Sequence, residues 1–206
     1  HYRLLREFRE GPAPILLGTQ MVAKGLDIPE VTLVGVVSAD TTLHLPDFRA
    51  RERTFQLITQ VAGRAGRGGT PGVVVVQTFN PDNYAVLAGS RQDYRSFAEQ
   101  ELELRRELGY PPFSRLILIE LSSEDRPALE RLGAEIAAVL SENAPEGTEI
   151  LGPAEAPIAR IRGKHRQLIL LKTREVHRIR SVIRGVIDCH RGPETISVDA
   201  DPVEVL

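Results

Sequence analysis

Cysteine is almost absent from this chain. The single Cys189 in 206 residues excludes an internal disulfide and any cysteine-built zinc site within the sequence. The lone thiol is expected to be buried or half-buried. Long apolar runs are missing too, and none approaches the roughly 20 residues that cross a bilayer. No secretory-signal pattern opens the sequence. Charge of one sign is also lacking. The 26 Lys and Arg are set against 28 Asp and Glu, a formal net charge of −2. No global field therefore recruits a polyanion, and any basic surface must be local. Nowhere does Gly-x-x-x-x-Gly-Lys-Ser/Thr occur, so these residues hold no phosphate-cradling P-loop.

Enough remains to build a core. Hydrophobic residues make up 42% of the chain, and its length suits one large domain or two small ones. The sequence starts with histidine, part-way into a helical pattern (Tyr2, Leu4, Leu5, Phe8), and is expected to be a fragment of a longer protein.

Residues 1–80 alternate helix and strand. Tyr2 to Arg9 reads as helix and Ile15 to Leu17 as a short buried strand. Val31 to Val37 is a β-branched strand. Arg49 to Ala62 is a helix, with apolar or small residues at 50, 54, 55, 57, 58, 61 and 62. Val73 to Gln77 is another strand. Strands separated by helices predict an α/β layer with a parallel, doubly wound sheet. Helical, charged stretches follow at Asn83–Leu87 and Tyr94–Leu108, stopped by Gly109 and Pro111-Pro112. Beyond them the order is strand (Arg115–Leu121), helix (Arg126–Leu140), strands (Ala156–Arg162 and Gln167–Leu171, around Gly163), helix (Glu175–Ile187) and strand (Thr195–Val198). This β-α-β-β-α-β order is that of an α+β ferredoxin-like, or split βαβ, domain. The expected domains are 1–81, a helical linker over 82–112, and 113–206.

Residues 60–67 read Gln-Val-Ala-Gly-Arg-Ala-Gly-Arg. Arg64 and Arg67 lie three apart, about one helical turn, and each follows a glycine that lets a ligand approach closely. An arginine fork aimed at phosphate is the device NTPases use to neutralise charge in phosphoryl transfer. The pattern resembles motif VI of superfamily 2 helicases. Upstream, Ile15 to Pro29 reads as a strand, a polar turn (Gly18-Thr19-Gln20) and a short helix (Met21–Lys24) ended by Gly25. That geometry presents backbone N–H groups to an anion, and it resembles motif V of the same superfamily.

A third feature is a basic segment. From Arg160 to Arg191 there are ten Lys or Arg against two acids, about +8 locally. Arg160, Arg162, Lys164 and Arg166 alternate, which in a strand or hairpin predicts one shared face. Such a ribbon suits a phosphate backbone or an acidic peptide tail. It equally suits a solvated hairpin whose charges protect a sheet edge.

Taken together, several segments resemble the PriA family of bacterial primosome-assembly helicases. They are Gly18–Gly25, Ala39-Asp40, Pro46–Ala50, Glu52–Leu57, Thr59–Arg67, Tyr110–Phe113, Leu151–Ala154, Pro157-Ile158 and Arg162-Gly163. The resemblance covers nearly the whole chain. It implies the rear part of a RecA-like second helicase lobe followed by the family's C-terminal domain. It also implies 3′–5′ DNA unwinding at stalled or repaired forks, driven by ATP and Mg²⁺, with the P-loop and acidic metal motif on a first lobe outside these residues. Zinc belongs to the family, but its eight cysteine ligands do not occur in this sequence. Carried over by motif, Arg64, Arg67 and Gln60 are the catalytic set, with Arg67 as the arginine finger. Asp27, Gly25 and Gly63 serve the nucleotide. Thr19 and Gln20 lie near the DNA backbone. The implied partners are forked and single-stranded DNA, single-strand-binding protein and other primosome proteins, in the bacterial cytoplasm with the nucleoid. No membrane or metal is implied for these residues. Two other readings are a superfamily 2 translocase of the recombination or repair type, and a stand-alone nucleic-acid or protein-binding module without a motor.

Overall fold

The computed structural model describes residues 2–11, 15–19, 31–63, 65 and 72–205. Two compact units emerge from the internal contacts. One comprises His1–Leu45 with Arg49–Glu101, the other Pro46–Phe48 with Leu102–Leu206.

The first unit contains α1 (Tyr2–Glu10), β1 (Leu33–Val36), α2 (Asp40–Leu43), α3 (Ala50–Ala62), β2 (Val73–Val76), α4 (Tyr84–Arg91) and most of α5 (Tyr94–Glu107). β1 and β2 pair in parallel, Leu33 opposite Val73 and Val36 opposite Val76, a pairing that needs the long crossover which α2 and α3 provide. The small core is aromatic. Phe55 of α3 stacks on Phe97 of α5 with centroids 4.4 Å apart, packed with Ala85 and Ala88 of α4. Gly89 lies so close to Ile58 that a Cβ there would sit 3.0 Å from the Ile58 Cβ. That closeness is why α4 carries a glycine on its inner face. The expected strand Ile15–Leu17 is not one. These residues have no regular structure, and Ile15 and Leu17 are 80% and 85% exposed. Three apolar residues lack the ladder partner that would convert them into a strand.

The second unit carries β3 (Arg115–Ser123), α6 (Arg126–Asn143), β4 (Glu149–Ile161), β5 (Lys164–Thr173), α7 (Val176–Cys189) and β6 (Thr195–Ala200). The four strands form one antiparallel sheet in the order β4-β5-β3-β6. Ile117, Ile119 and Leu121 of β3 and Ile169 and Leu171 of β5 face the helices. Leu129, Ile136 and Leu140 of α6 and Ile179 and Ile183 of α7 meet them there. α6 is capped by Asp125, whose carboxylate accepts from Ala128 N–H (3.2 Å), with Pro127 in its first turn.

β4 begins at Glu149, earlier than the expected Ala156. It is an edge strand, and a register shift between Leu151 and Ala154 absorbs Gly152-Pro153, a setting in which a strand tolerates proline. Cys189 is exposed, contrary to expectation. The buried stripe of α7 runs through Ile179 and Ile183, and six residues further on the helix has turned away from the core.

On the other side of the sheet, Lys172 lies opposite Leu116 and is buried. Its ammonium donates to the Leu108 carbonyl (2.9 Å), pairs with Glu149 (2.9 Å) and sits 4.3 Å from the Tyr110 ring centre. Phe48 stacks on the far side of Tyr110 at 4.9 Å, and the Arg105 guanidinium lies 5.0 Å from Phe48. A cation therefore sits at each end of a two-ring stack.

Candidate nucleotide and nucleic-acid sites

α3 delivers the arginine motif to its position. Ala50, Thr54, Phe55, Ile58 and Val61 form its buried stripe. The Thr54 hydroxyl folds back onto the Ala50 carbonyl (2.9 Å), which lets a polar residue share that stripe. Gln60 falls on the opposite, exposed face at the C-terminal end. Gly63 caps the helix, its N–H donating to the Thr59 carbonyl (3.1 Å). Gly63 has φ −68, and a Cβ there would make only ordinary contacts with the Thr59 and Gln60 carbonyls. Neither its backbone nor its described surroundings require a glycine. Gln60 and Gly63, both exposed, thus lie together at the C-terminal end of α3. Arg64 and Arg67, which follow, lie outside the described residues.

Of the upstream motif, Thr19 is described and exposed. Gln20, Gly25 and Asp27 lie outside the described residues, as does the expected helix Met21–Lys24.

One organised polar cluster has no role in the sequence reading. Asp40, at the start of α2 and buried, accepts hydrogen bonds from Asn80 Nδ2 (2.8 Å), Thr78 Oγ1 (3.1 Å) and Phe79 N–H (3.0 Å). These partners, the Asn80 amide foremost, hold its carboxyl below the ordinary carboxylate value, although burial works the other way. Asp40 thereby ties the segment after β1 to the segment after β2. The signal was present as an acid ending one β-branched run and a Thr-Phe-Asn triplet ending the next.

The basic hairpin differs from expectation in two ways. Residues 162 and 163 are its turn, with φ of 50 at Arg162 and 88 at Gly163, the mirror-image geometry of tight hairpins. Arg160 lies opposite His165, and Ile161 opposite Lys164. Cross-strand partners share a face, so Arg160 points to one side of the sheet and Lys164 and Arg166 to the other. The predicted single face does not form, because the turn consumes Arg162 and reverses the alternation. Arg166, in addition, is committed internally. Its Nε and Nη2 grip the Glu120 carboxylate (2.7 and 3.0 Å), and Nη1 reaches the Ile158 carbonyl (3.2 Å). The Arg166 side chain is only 11% exposed. Its hydrogen bonds hold the Glu120 carboxyl below its ordinary value against the opposing effect of burial. Arg160, whose Nε donates to the Gly163 carbonyl (3.1 Å), and Arg162 remain at the exposed tip. Among the described residues no cluster of His, Cys, Asp and Glu could hold a metal ion.

Residues 2–69 match the family described as Helicase conserved C-terminal domain. Residues 106–203 match the Primosomal protein N C-terminal domain. The first match includes the whole of α3. Among curated relatives, Replication restart protein PriA of Bacillus subtilis (strain 168) is 44% identical over 211 residues, covering 100% of this chain and 26% of the relative. Its counterpart in Treponema pallidum (strain Nichols) is 43% identical over 204 residues, 98% of this chain and 31% of the relative. That of Synechocystis is 38% identical over 205 residues, 100% and 25%. The chain belongs to the PriA family of replication restart proteins, corresponding to its C-terminal part. It spans about a quarter to a third of the length of these relatives.

Proposed function

We propose that this chain is the C-terminal portion of an ATP-dependent 3′–5′ DNA helicase that recognises stalled or repaired replication forks and begins primosome assembly there. The observation that carries this reading is the succession, in one chain, of a helicase C-terminal match over 2–69 and a primosomal C-terminal match over 106–203. Residues 1–81 are then the rear of a RecA-like second lobe, 82–112 a helical linker and 113–206 a ferredoxin-like domain that contacts DNA or partners. The bare apolar side of the β1–β2 ribbon supports a part-lobe, since Leu33, Val73 and Val75 are each more than half exposed.

In this reading Arg64 and Arg67 face the γ-phosphate, with Gln60 beside them and Asp27, Gly25 and Gly63 on the nucleotide side. Thr19 and Gln20 touch the DNA backbone. ATP and Mg²⁺ are held jointly with a first lobe that supplies the P-loop and the metal carboxylates. At the hairpin, Arg160, Arg162 and Lys164 remain candidates for phosphate contact and Arg166 does not. Single-strand-binding protein and other primosome proteins are the partners, in the bacterial cytoplasm with the nucleoid.

The test is Arg67→Ala in the full-length protein. An arginine finger contributes on the order of 10³-fold or more to turnover, so DNA-stimulated ATPase should collapse while DNA affinity holds. Arg67→Lys should not rescue, because a point charge cannot reproduce the guanidinium fork. Near-normal ATPase at saturating DNA in the alanine variant would refute the assignment.

A further inference from the structure

We propose that the trough between α6 and α7 is a docking site for one amphipathic helix of a partner protein. The inference rests on the reading above only in that this domain contacts partners, and it adds the surface and the partner's chemistry. Both helices pack on one face of the four-stranded sheet, and their outward sides leave a groove of about 610 Å³. Leu132, Ile136 and Val139 of α6 form one apolar wall, and Val182 and Val186 of α7 form the other. Val139 is 41% exposed within that wall, and covering it removes apolar surface from water.

The shape of the α7 rim favours a helix as occupant. Gly185 stands inside α7, where glycine weakens a helix relative to alanine. Nothing in the described fold asks for it, since a Cβ there would meet no atom within 4 Å. Ser181 and Cys189, one turn to either side, are also small and also border the trough. The rim is therefore low over about 12 Å, at 1.5 Å per residue, and another backbone can come close along the same axis. An apolar helix face laid into a groove is a recurring mode of recognition.

Charge selects which helix. Glu135 lines the α6 side of the trough and is exposed. Arg178 stands one turn before Val182 on the α7 side, also exposed. Neither makes a hydrogen bond or ion pair among the described residues. Elsewhere Glu7, Glu99 and Glu130 each pair with the arginine four residues before. Arg131 holds that place before Glu135, yet the two are not paired. The trough thus offers an acid on one flank and a cation on the other. Its match is a helix with an apolar stripe, a basic residue towards α6 and an acidic one towards α7. A phosphate backbone has no use for the apolar floor and is repelled by Glu135.

The experiment is fluorescence anisotropy with the full-length protein and a labelled synthetic helix of about 14 residues, or four turns. The peptide carries a Leu stripe at helical spacing, Lys along one flank and Glu along the other. The parent should bind it. Gly185→Leu fills the trough from a position with open space around it. It should weaken binding about tenfold or more, the scale of one interface anchor, with a melting temperature no lower than the parent's. Glu135→Lys should weaken binding several-fold, and a second peptide with Glu on both flanks should recover it. A parent that ignores the first peptide overturns the inference. So does equal affinity in Gly185→Leu, or no recovery by the second peptide. In cells, a benzophenone residue at position 185 should trap a partner's segment with this pattern. Trapping a second copy, or another part of the same chain, overturns the inference as well. DNA-stimulated ATPase of the parent is measured alongside. Its absence sinks the proposed function and leaves the peptide result standing, so the two failures are distinguishable.

Discussion

Replacing Arg166 separates a structural arginine from a ligand-binding one. The side chain spans three strands: it lies on β5, grips Glu120 on β3 and reaches a carbonyl of β4. Arg166→Met keeps the apolar stem and removes all three donors. Exposed pairs contribute at most about 1 kcal/mol, and breaking a fully buried one costs about 3–5. Here the exposures are 11% for Arg166 and 34% for Glu120, so water regains part of the orphaned carboxylate and the cost should be about 2 kcal/mol. For a chain of this size that lowers the melting temperature by about 4–8 °C. A double-mutant cycle with Glu120→Gln, read by urea unfolding, should give a coupling of about 1–2 kcal/mol. In a salt titration of DNA binding by the full-length protein, Arg166→Met should leave the slope of log K against log salt alone, while Arg162→Asn, which tolerates the positive φ of the turn, should reduce it by about one contact. Coupling below about 0.3 kcal/mol, together with a flattened salt slope for Arg166→Met, would refute the structural role and restore Arg166 to the binding ribbon.

Three further outcomes are expected. Purified alone, the 206-residue chain should turn over no ATP even with DNA, for want of a P-loop and Mg²⁺ carboxylates; DNA-stimulated hydrolysis free of contaminants would overturn this. Stability should fall on acidification below about pH 4.5, because Glu120 and Asp40 have folded-state pKa values below their ordinary 4.5 and 3.8. Such groups stabilise above the unfolded value and lose that contribution as pH drops through the folded one, and in acid-unfolding curves Glu120→Gln should shrink the pH-dependent part. Gly152→Ala should destabilise the second unit by about 2 kcal/mol or more. Its φ is +107 and the new Cβ would meet the Leu168 carbonyl oxygen at 2.5 Å, so an unshifted thermal midpoint would contradict the geometry.

The α+β half was legible because its signals are redundant. β3 is a run of Leu and Ile buried on both faces, α6 has a capping Asp and an early Pro, and α7 repeats its apolar residues at helical spacing. Strand order β-α-β-β-α-β and the position of the Gly163 turn followed from those signals. Ile15–Leu17 misled because apolar character alone fixes no ladder partner, and a strand is defined by its partner. The alternation rule failed at Arg160–Arg166 for a different reason. It holds along one strand, while a two-residue turn in between resets which side each residue faces. Arg166 was misjudged because its partner, Glu120, is 46 positions away. The Asp40 cluster was missed likewise, since its partners lie 38 to 40 positions further along the chain.

The strand order has a consequence for the chain as it is made. β3, the apolar centre of its sheet, pairs with β5 and β6 and with nothing nearer in sequence. Ile119 meets Ile169 fifty positions later and Val198 later still. At synthesis rates of about 5–20 residues per second, β3 waits roughly 3–10 s after leaving the ribosome before β5 exists to receive it. During that interval Leu-Ile-Leu-Ile-Glu-Leu is a bare, strongly β-forming segment of the type that recruits other nascent chains. Arg115 at its start and Glu120 within it are the charges that interrupt such recruitment. Glu120 thus serves the unfinished chain as a gatekeeper before Arg166 arrives to bind it.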